Sequence, residues 1–208
     1  ESRGLGDVYK RQLLGWDQVS KRMLDLLLGS LTLILLSPLM VLIGILIKWT
    51  SRGPILYRQE RVGMDGQVFE MLKFRTMRMD SERETGPVWA KENDPRRTWI
   101  GALLRKTSLD ELPQLFNVLK GEMSLVGPRP ERPNFVEEFK HQIPSYMLRH
   151  KIKAGMTGWA QINGWRGNTS LEKRIEYDLY YIQNWSIVFD LRILLMTLWK
   201  GFFSKSAY

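Results

Sequence analysis

The 22 residues from 26 to 47 carry no charge, and that run constrains the fold more than any other feature of the chain. As a helix it is roughly 33 Å long, enough to cross roughly 30 Å of bilayer hydrocarbon. Ser37 and Pro38 stand at its centre, where proline removes a backbone donor and crowds the carbonyl four residues earlier. Basic residues lie on both flanks, Lys21 and Arg22 before it and Lys48, Arg52 and Arg58 after it. The positive charge that marks the cytoplasmic side therefore gives a through-going helix no direction. Each half is about 11 residues and roughly 16 Å long, which reaches only the midplane. Three arrangements follow from these residues. One is a re-entrant helix-break-helix hairpin with both ends on one side. Another is a kinked spanning helix whose freed carbonyl finds a hydroxyl or a neighbour. The third is the core helix of a soluble enzyme.

The chain has 208 residues, enough for one domain with a core. Its formal charge of +9 calls for an anionic partner such as acidic lipid or a phosphorylated small molecule. The same charge would suit a non-enzymatic, membrane-anchored binder of anionic lipid or nucleic acid, although no helix-turn-helix, RNP or zinc-finger pattern supports nucleic acid as the partner. The absence of cysteine excludes disulfides, thiolate metal sites and thiol nucleophiles. His141 and His150 lack metal-ligand spacing and are assigned no chemistry. Residues 1–20 match no recognisable element and begin without methionine, as a fragment or a tethered segment would. Residues 21–50 form the membrane segment and residues 51–208 the rest of the same unit.

The fold class read from the remaining pattern is α+β and mainly helical. GPILYRQERVGMDGQVFEMLKFRTMRM predicts a short β-hairpin turning at Asp65-Gly66. DPRRTWIGALLRKT predicts a helix capped by Asp94, with Pro95 at its first position and Trp99, Leu103 and Lys106 on one side. TSLDELPQLFNVLKG reads as a helix ending at Gly121, and PNFVEEFKHQ as one opening at Pro133. SLVGPRPER between them, and IKAGMTGWAQINGWRGN later, read as loops. TSLEKRIEYDLYYIQNWS predicts a helix with a capping box of Thr169 and Glu172 and an apolar stripe of Leu171, Ile175, Leu179 and Ile182. The last stretch, capped by Ser186, suits an amphipathic helix in the membrane interface or a buried core helix. Its apolar surface also leaves room for a homo-oligomer.

Chemistry concentrates on the adjacent carboxylates Asp110 and Glu111. Acids also favour a helix N-terminus, so their position alone fits a capping role. The cations able to converge on them are Arg105, Lys106, Lys73, Arg75, Arg129 and Arg132. Two carboxylates, a divalent ion and several guanidinium groups suit phosphoryl transfer from a diphosphate. Arg129, between Pro128 and Pro130, is presented by a stiff loop able to offer a bidentate fork.

The run KRMLDLLLGSLTLILLSPLMVLIGILIK, followed by GPILYRQERVGMDGQVFEMLKFRTM, LRKTSLDELPQLFNVLKGEMSLVGPRPERP and GMTGWAQINGWRG, resembles the bacterial sugar transferases called monotopic phosphoglycosyl transferases. Within them it is most similar to the undecaprenyl-phosphate glucose phosphotransferases of exopolysaccharide synthesis. That resemblance implies a two-step transfer of a sugar 1-phosphate from a UDP-sugar to undecaprenyl phosphate, releasing UMP. It implies Asp110 as the nucleophile that carries the phosphosugar, with Glu111 as its partner and Mg²⁺ as the cofactor on both. Lys73, Arg105 and Arg129 match the family's phosphate-handling cations; Thr157, Gln161 and Asn163 match its nucleotide-sugar loop. Ser37 and Pro38 match its helix break, which implies a catalytic domain on the cytoplasmic face of the bacterial inner membrane, in contact with membrane lipids. Ala154 stands where the family often has proline.

Overall fold

The computed structural model describes residues 15–78, 96–143, 145–167 and 169–203. The uncharged run forms most of α1, Trp16–Thr50. Helical geometry continues through Pro38, so the sequence's expected break is not seen as an interruption of the element. The carbonyl that Pro38 leaves without its usual donor is that of Ile34, and the Ser37 hydroxyl donates to it at 2.9 Å. α1 is the one element among the described residues that is long and apolar enough to cross a membrane.

Both ends of α1 dock on the same body. Near its start Lys21 and Asp25 are buried; Lys21 pairs with Asp190 at 2.7 Å, and Asp25 accepts from the Ser124 hydroxyl and the Leu125 amide, both at 2.9 Å. Arg22 donates to the carbonyls of Val118 and Leu119 at 2.6 Å. Near its end Ile43 and Ile47 pack with Phe74, Ile100 and Leu104. Between these footholds Leu27, Leu31, Ile34 and Leu35 stay exposed.

β1 (Leu56–Val62) and β2 (Val68–Phe74) pair antiparallel, with Leu56 opposite Phe74 and Val62 opposite Val68. The turn is the one expected. Asp65 and Gly66 sit at φ 52° and 79°, a left-handed pair that Asp-Gly tolerates. The next helix, α2 (Trp99–Lys106), begins later than expected. Thr98 is its cap, accepting from the Gly101 amide at 3.0 Å, and residues 96–98 are not helical. Asp94 and Pro95 lie outside the described residues. A single turn at Leu109–Glu111 leads into α3 (Gln114–Lys120), which ends at Gly121 with φ 88°, as the left-handed cap requires.

Two stretches read as loops turn out to form a small parallel sheet, β3 (Ser124–Val126) against β4 (Gly155–Thr157). Neither strand alternates over more than three residues, so their pairing depends on tertiary contact that no local pattern reveals. Around them the backbones touch. Gly127 N–H donates to Thr157 O and Gly155 N–H to Pro128 O, both at 2.9 Å. A Cβ on Gly127, Gly155 or Gly158 would run into the backbone of the facing loop.

α4 (Pro133–Gln142) opens on Pro133 as expected. A short helix α5 (Trp159–Ile162) precedes α6 (Leu171–Gln183) and α7 (Ile187–Phe203). The apolar stripe of α6 faces inward, with Ile175 and Ile182 buried. Its cap is Ser170, which accepts from the Lys173 amide at 3.3 Å, instead of Thr169. Ser186 caps α7 by accepting from the Phe189 amide. α7 has a buried side and an exposed apolar side. Ile193 and Asp190 are buried, while Val188, Leu191, Leu195, Leu198 and Trp199 are exposed. Trp99 and Leu103 on α2 are exposed as well.

The main core joins Met71, Leu115, Val118, Met123, Val126, Tyr181 and Ile193. Asp190 lies at its edge, accepting from Lys21, from the Tyr181 hydroxyl at 2.7 Å and from the Trp185 indole at 3.1 Å. Breaking a buried pair strands a desolvated charge. Lys21→Met should therefore lower unfolding stability by about 3 kcal/mol, read from denaturation of the detergent-solubilised protein. An unchanged midpoint would show that this pair does not hold α1 to the body.

Candidate active site

Asp110 and Glu111 sit in the turn between α2 and α3. The turn has no cap of its own. Ser108 adopts φ 56° and makes no capping bond, so the capping-box reading of these acids does not hold. The hydroxyl of Ser108 instead accepts from Arg166 at 3.2 Å. Both acids are buried.

Glu111 is where the elements converge. Lys73 of β2 donates to its Oε1 at 3.0 Å. Arg129, from the Pro128–Pro130 loop, reaches Oε1 at 2.6 Å and Oε2 at 3.3 Å, the fork that the two prolines were expected to present. Arg166 stands 3.8 Å from Oε1. Burial alone would push the Glu111 carboxyl up, but Arg129, Lys73 and Arg166 outweigh it and hold it well below the usual carboxylate range. Glu111 is thus charged and fully engaged.

Asp110 is the opposite case. Among the described residues its carboxylate has no hydrogen-bond or salt-bridge partner. Burial, and then the charge of Glu111 beside it, push its carboxyl above the usual range, against the pull of Lys73, Arg105 and Arg166. The result is a more basic carboxylate, unpaired, at a site rich in positive charge.

The structure sorts the remaining expected residues. Arg105 lies on the Asp110 side, with its Nε on the Thr76 hydroxyl at 2.9 Å. Gln161 joins the cluster by accepting from Arg129 at 3.3 Å. Arg75 is placed elsewhere: its guanidinium donates to Arg52 O at 2.6 Å and Ser51 O at 2.9 Å, closing the end of α1 instead of facing the carboxylates. The Thr157 hydroxyl pairs with that of Thr197 at 2.7 Å, fastening α7 to β4, and the Asn163 amide donates to Trp159 O within its own turn. Of the three loop residues, Gln161 alone has a side-chain bond to the cluster among the described residues. Arg166 was missed. Its one sequence signal was an arginine set in a glycine-rich loop, GWRG.

A second layer holds Arg129. Arg149 donates to Arg129 O at 2.9 Å and to Asp178 at 2.7 and 3.0 Å, while Arg174 pairs with Glu131 at 2.7 Å. His150, expected to be without chemistry, is buried with Nδ1 3.1 Å from Gly63 O. Burial and Arg149 push it down to about 4, so it is uncharged at neutral pH.

Of the two carboxylates, Asp110 is the one with oxygens open to a magnesium ion among the described residues, since those of Glu111 are bonded to Lys73 and Arg129. Mg²⁺ is usually held by one or two carboxylates together with substrate phosphates, and Asp110 offers unengaged oxygens beside Glu111. Among the described residues no cluster of three or more His, Cys, Asp or Glu could hold a metal, so phosphate oxygens would have to supply further ligands.

A family model described as bacterial sugar transferase matches residues 16–204. The chain is 51% identical over 205 residues to a UDP-glucose:undecaprenyl-phosphate glucose-1-phosphate transferase of Klebsiella pneumoniae, covering 97% of this chain and 44% of that protein. It is 44% identical over 180 residues to a UDP-N-acetylgalactosamine-undecaprenyl-phosphate N-acetylgalactosaminephosphotransferase of Aeromonas hydrophila, covering 86% of this chain and 42% of that protein. An exopolysaccharide production protein PSS of Rhizobium leguminosarum is 43% identical over 188 residues, covering 87% of this chain and 94% of that protein. The chain therefore spans less than half the length of the first two.

Removing the charge of Glu111 leaves Lys73, Arg129 and Arg166 to repel one another. Glu111→Gln should cost about 3 kcal/mol of stability, and Arg129→Met a comparable amount, because each strands a partly buried charge. In a double-mutant cycle the two should couple by at least about 1 kcal/mol. Additive losses would show that the fork carries no structural weight.

Proposed function

Because the chain belongs to the bacterial sugar transferase family, we propose that it transfers a sugar 1-phosphate from a UDP-sugar to undecaprenyl phosphate through a phosphosugar carried on Asp110. The observation that supports this most is Asp110 itself, a buried carboxylate of raised basicity with no partner among the described residues, set beside an acid whose charge is already balanced.

In the first step an Asp110 oxygen attacks the β-phosphorus in line. A bond forms from that oxygen to phosphorus, and the bond from phosphorus to the bridging oxygen breaks. UMP leaves with that oxygen and its electron pair. Lys73, Arg129 and Arg166 face the charge that gathers on the phosphoryl oxygens. Glu111 keeps these cations from flying apart before the substrate arrives and orients the Arg129 fork. In the second step a phosphate oxygen of undecaprenyl phosphate attacks the same phosphorus, the bond to Asp110 breaks, and the carboxylate is restored. Mg²⁺, when held by Asp110 and Glu111, neutralises part of the diphosphate charge. Glucose is the sugar we assign, since the relative of highest identity named above is named for it.

The acceptor is a lipid, and the surface suits one. Exposed apolar side chains on α1, α2 and α7 supply area for burial among acyl chains. Both ends of α1 pack on the catalytic body, which supports entry and exit through one face, the cytoplasmic face of the bacterial inner membrane. Ser37 and Pro38 then lie at the deepest point of the excursion.

Two measurements decide these readings. With Mg²⁺, undecaprenyl phosphate and a panel of UDP-sugars, the wild-type chain should release UMP fastest from UDP-glucose. Asp110→Asn should lower that rate by at least about 1000-fold, and release at the wild-type rate would remove Asp110 as nucleophile. For topology, the chain has no native cysteine, so Asp17→Cys and Arg52→Cys can be labelled singly. Neither should react with an impermeant reagent in spheroplasts, and both should react in inverted vesicles. Labelling of one site alone in spheroplasts would establish a through-going helix.

A further inference from the structure

Gln114 is 1% exposed, and its side-chain Nε2 has no hydrogen-bond partner among the described residues. A buried amide left unmatched costs about 1–3 kcal/mol, so such a group calls for an explanation. It lies four residues after Asp110. From Ser108 to Phe116 the backbone bonds run three residues back, from Glu111 N–H to Ser108 O, Leu112 N–H to Leu109 O and Leu115 N–H to Leu112 O, and residues three apart in such 3₁₀ geometry eclipse, which sets Gln114 on the face of Glu111 and Asn117.

The direction of that face is fixed by its neighbours. Three residues on, Asn117 accepts from the Leu72 amide at 3.0 Å and donates to Glu70 O at 2.7 Å. Three residues back, Glu111 accepts from Lys73, and farther back Arg105 reaches Thr76. The segment thus runs antiparallel along β2, each step back meeting a later residue of the strand. Gln114 falls between Asn117 and Glu111 on the face that those two residues turn to β2. One buried donor, unpartnered among the described residues, therefore stands one turn after Glu111, whose chain neighbour Asp110 is the unpartnered buried acceptor.

We propose that the Gln114 amide donates to a non-bridging oxygen of the phosphoryl group while Asp110 attacks it and carries it. This rests on the transfer reading above. The neutral amide moves no proton and carries no charge. It stabilises negative charge on phosphoryl oxygen in the transition states of both steps, and its missing partner in the free protein is the substrate. An amide serves here where another cation would add repulsion to Lys73, Arg129 and Arg166.

Gln114→Met keeps the volume of the side chain and removes both donors. In the full chain with Mg²⁺, UDP-glucose and undecaprenyl phosphate, kcat for UMP release should fall by about 100-fold, KM for UDP-glucose should stay within about threefold, and the thermal midpoint should hold or rise, because an unmatched amide has been removed. Gln114→Glu, also of the same size, should lose at least as much kcat, since it presents an acceptor to phosphoryl oxygen. A normal kcat in Gln114→Met with a raised midpoint overturns the proposal, and so does a drop in activity matched by an equal drop in folded protein in both variants. Asp110→Asn, assayed in parallel, separates the two readings. If it is inactive while Gln114→Met is normal, only the Gln114 assignment fails. If it is as active as wild type, the transfer reading fails and takes the phosphoryl acceptor of Gln114 with it.

Discussion

The grip of Lys73 and Arg129 on Glu111 is the interaction on which the site depends. Three cations from three separate stretches of chain, the β-hairpin, the proline loop and the glycine loop, are brought within reach of one carboxylate. Without that carboxylate their mutual repulsion in a partly buried setting would open the cleft. With it, Asp110 is left as the adjacent acid whose charge is not already claimed. Two neighbouring residues of one chemical type thus differ, one balancing the cations and the other left without a partner among the described residues, and the difference comes from their surroundings.

The same logic repeats outward. Arg129 is positioned through its carbonyl by Arg149, which is itself held by Asp178. Lys21 reaches from the apolar helix into the core to meet Asp190. The buried pairs Lys21–Asp190, Arg149–Asp178 and Arg174–Glu131 thus act as a framework joining the long apolar helix, the small sheet and the turn that holds Asp110 and Glu111. That framework sets the paired carboxylates and their cations near the elements that carry the exposed apolar surface.

Local signals in the sequence were read well and long-range ones poorly. The Asp65-Gly66 turn, Pro133, the Gly121 cap and the α6 stripe each depend on a few neighbouring residues, and all appear as expected. Asp110, Glu111, Lys73, Arg105, Arg129 and Gln161 were visible as residue types gathered in recognisable runs. The β3–β4 pairing was not, because its partners stand 31 positions apart, Ser124 opposite Gly155, and each strand is too short to show a period. The caps at Thr98 and Ser170 displaced nearby rivals that fit the same rule. Arg75 looked equivalent to Lys73 in sequence, yet it lies just past the end of β2, where the open carbonyls after α1 take its guanidinium. The proline in α1 kept its helix because the adjacent hydroxyl supplied the missing donor.

The glycines at 127, 155 and 158 leave the proline loop and the glycine loop in backbone contact with no side chain between them. Two surfaces pressed together in this way behave as a single stiff plate. A displacement at Gly155 or Gly158 is handed directly to Gly127 and, two residues later, to Arg129. The loop nearest Gln161 and the loop that presents the guanidinium fork are therefore not independently adjustable parts, and a substrate that shifts one moves the other.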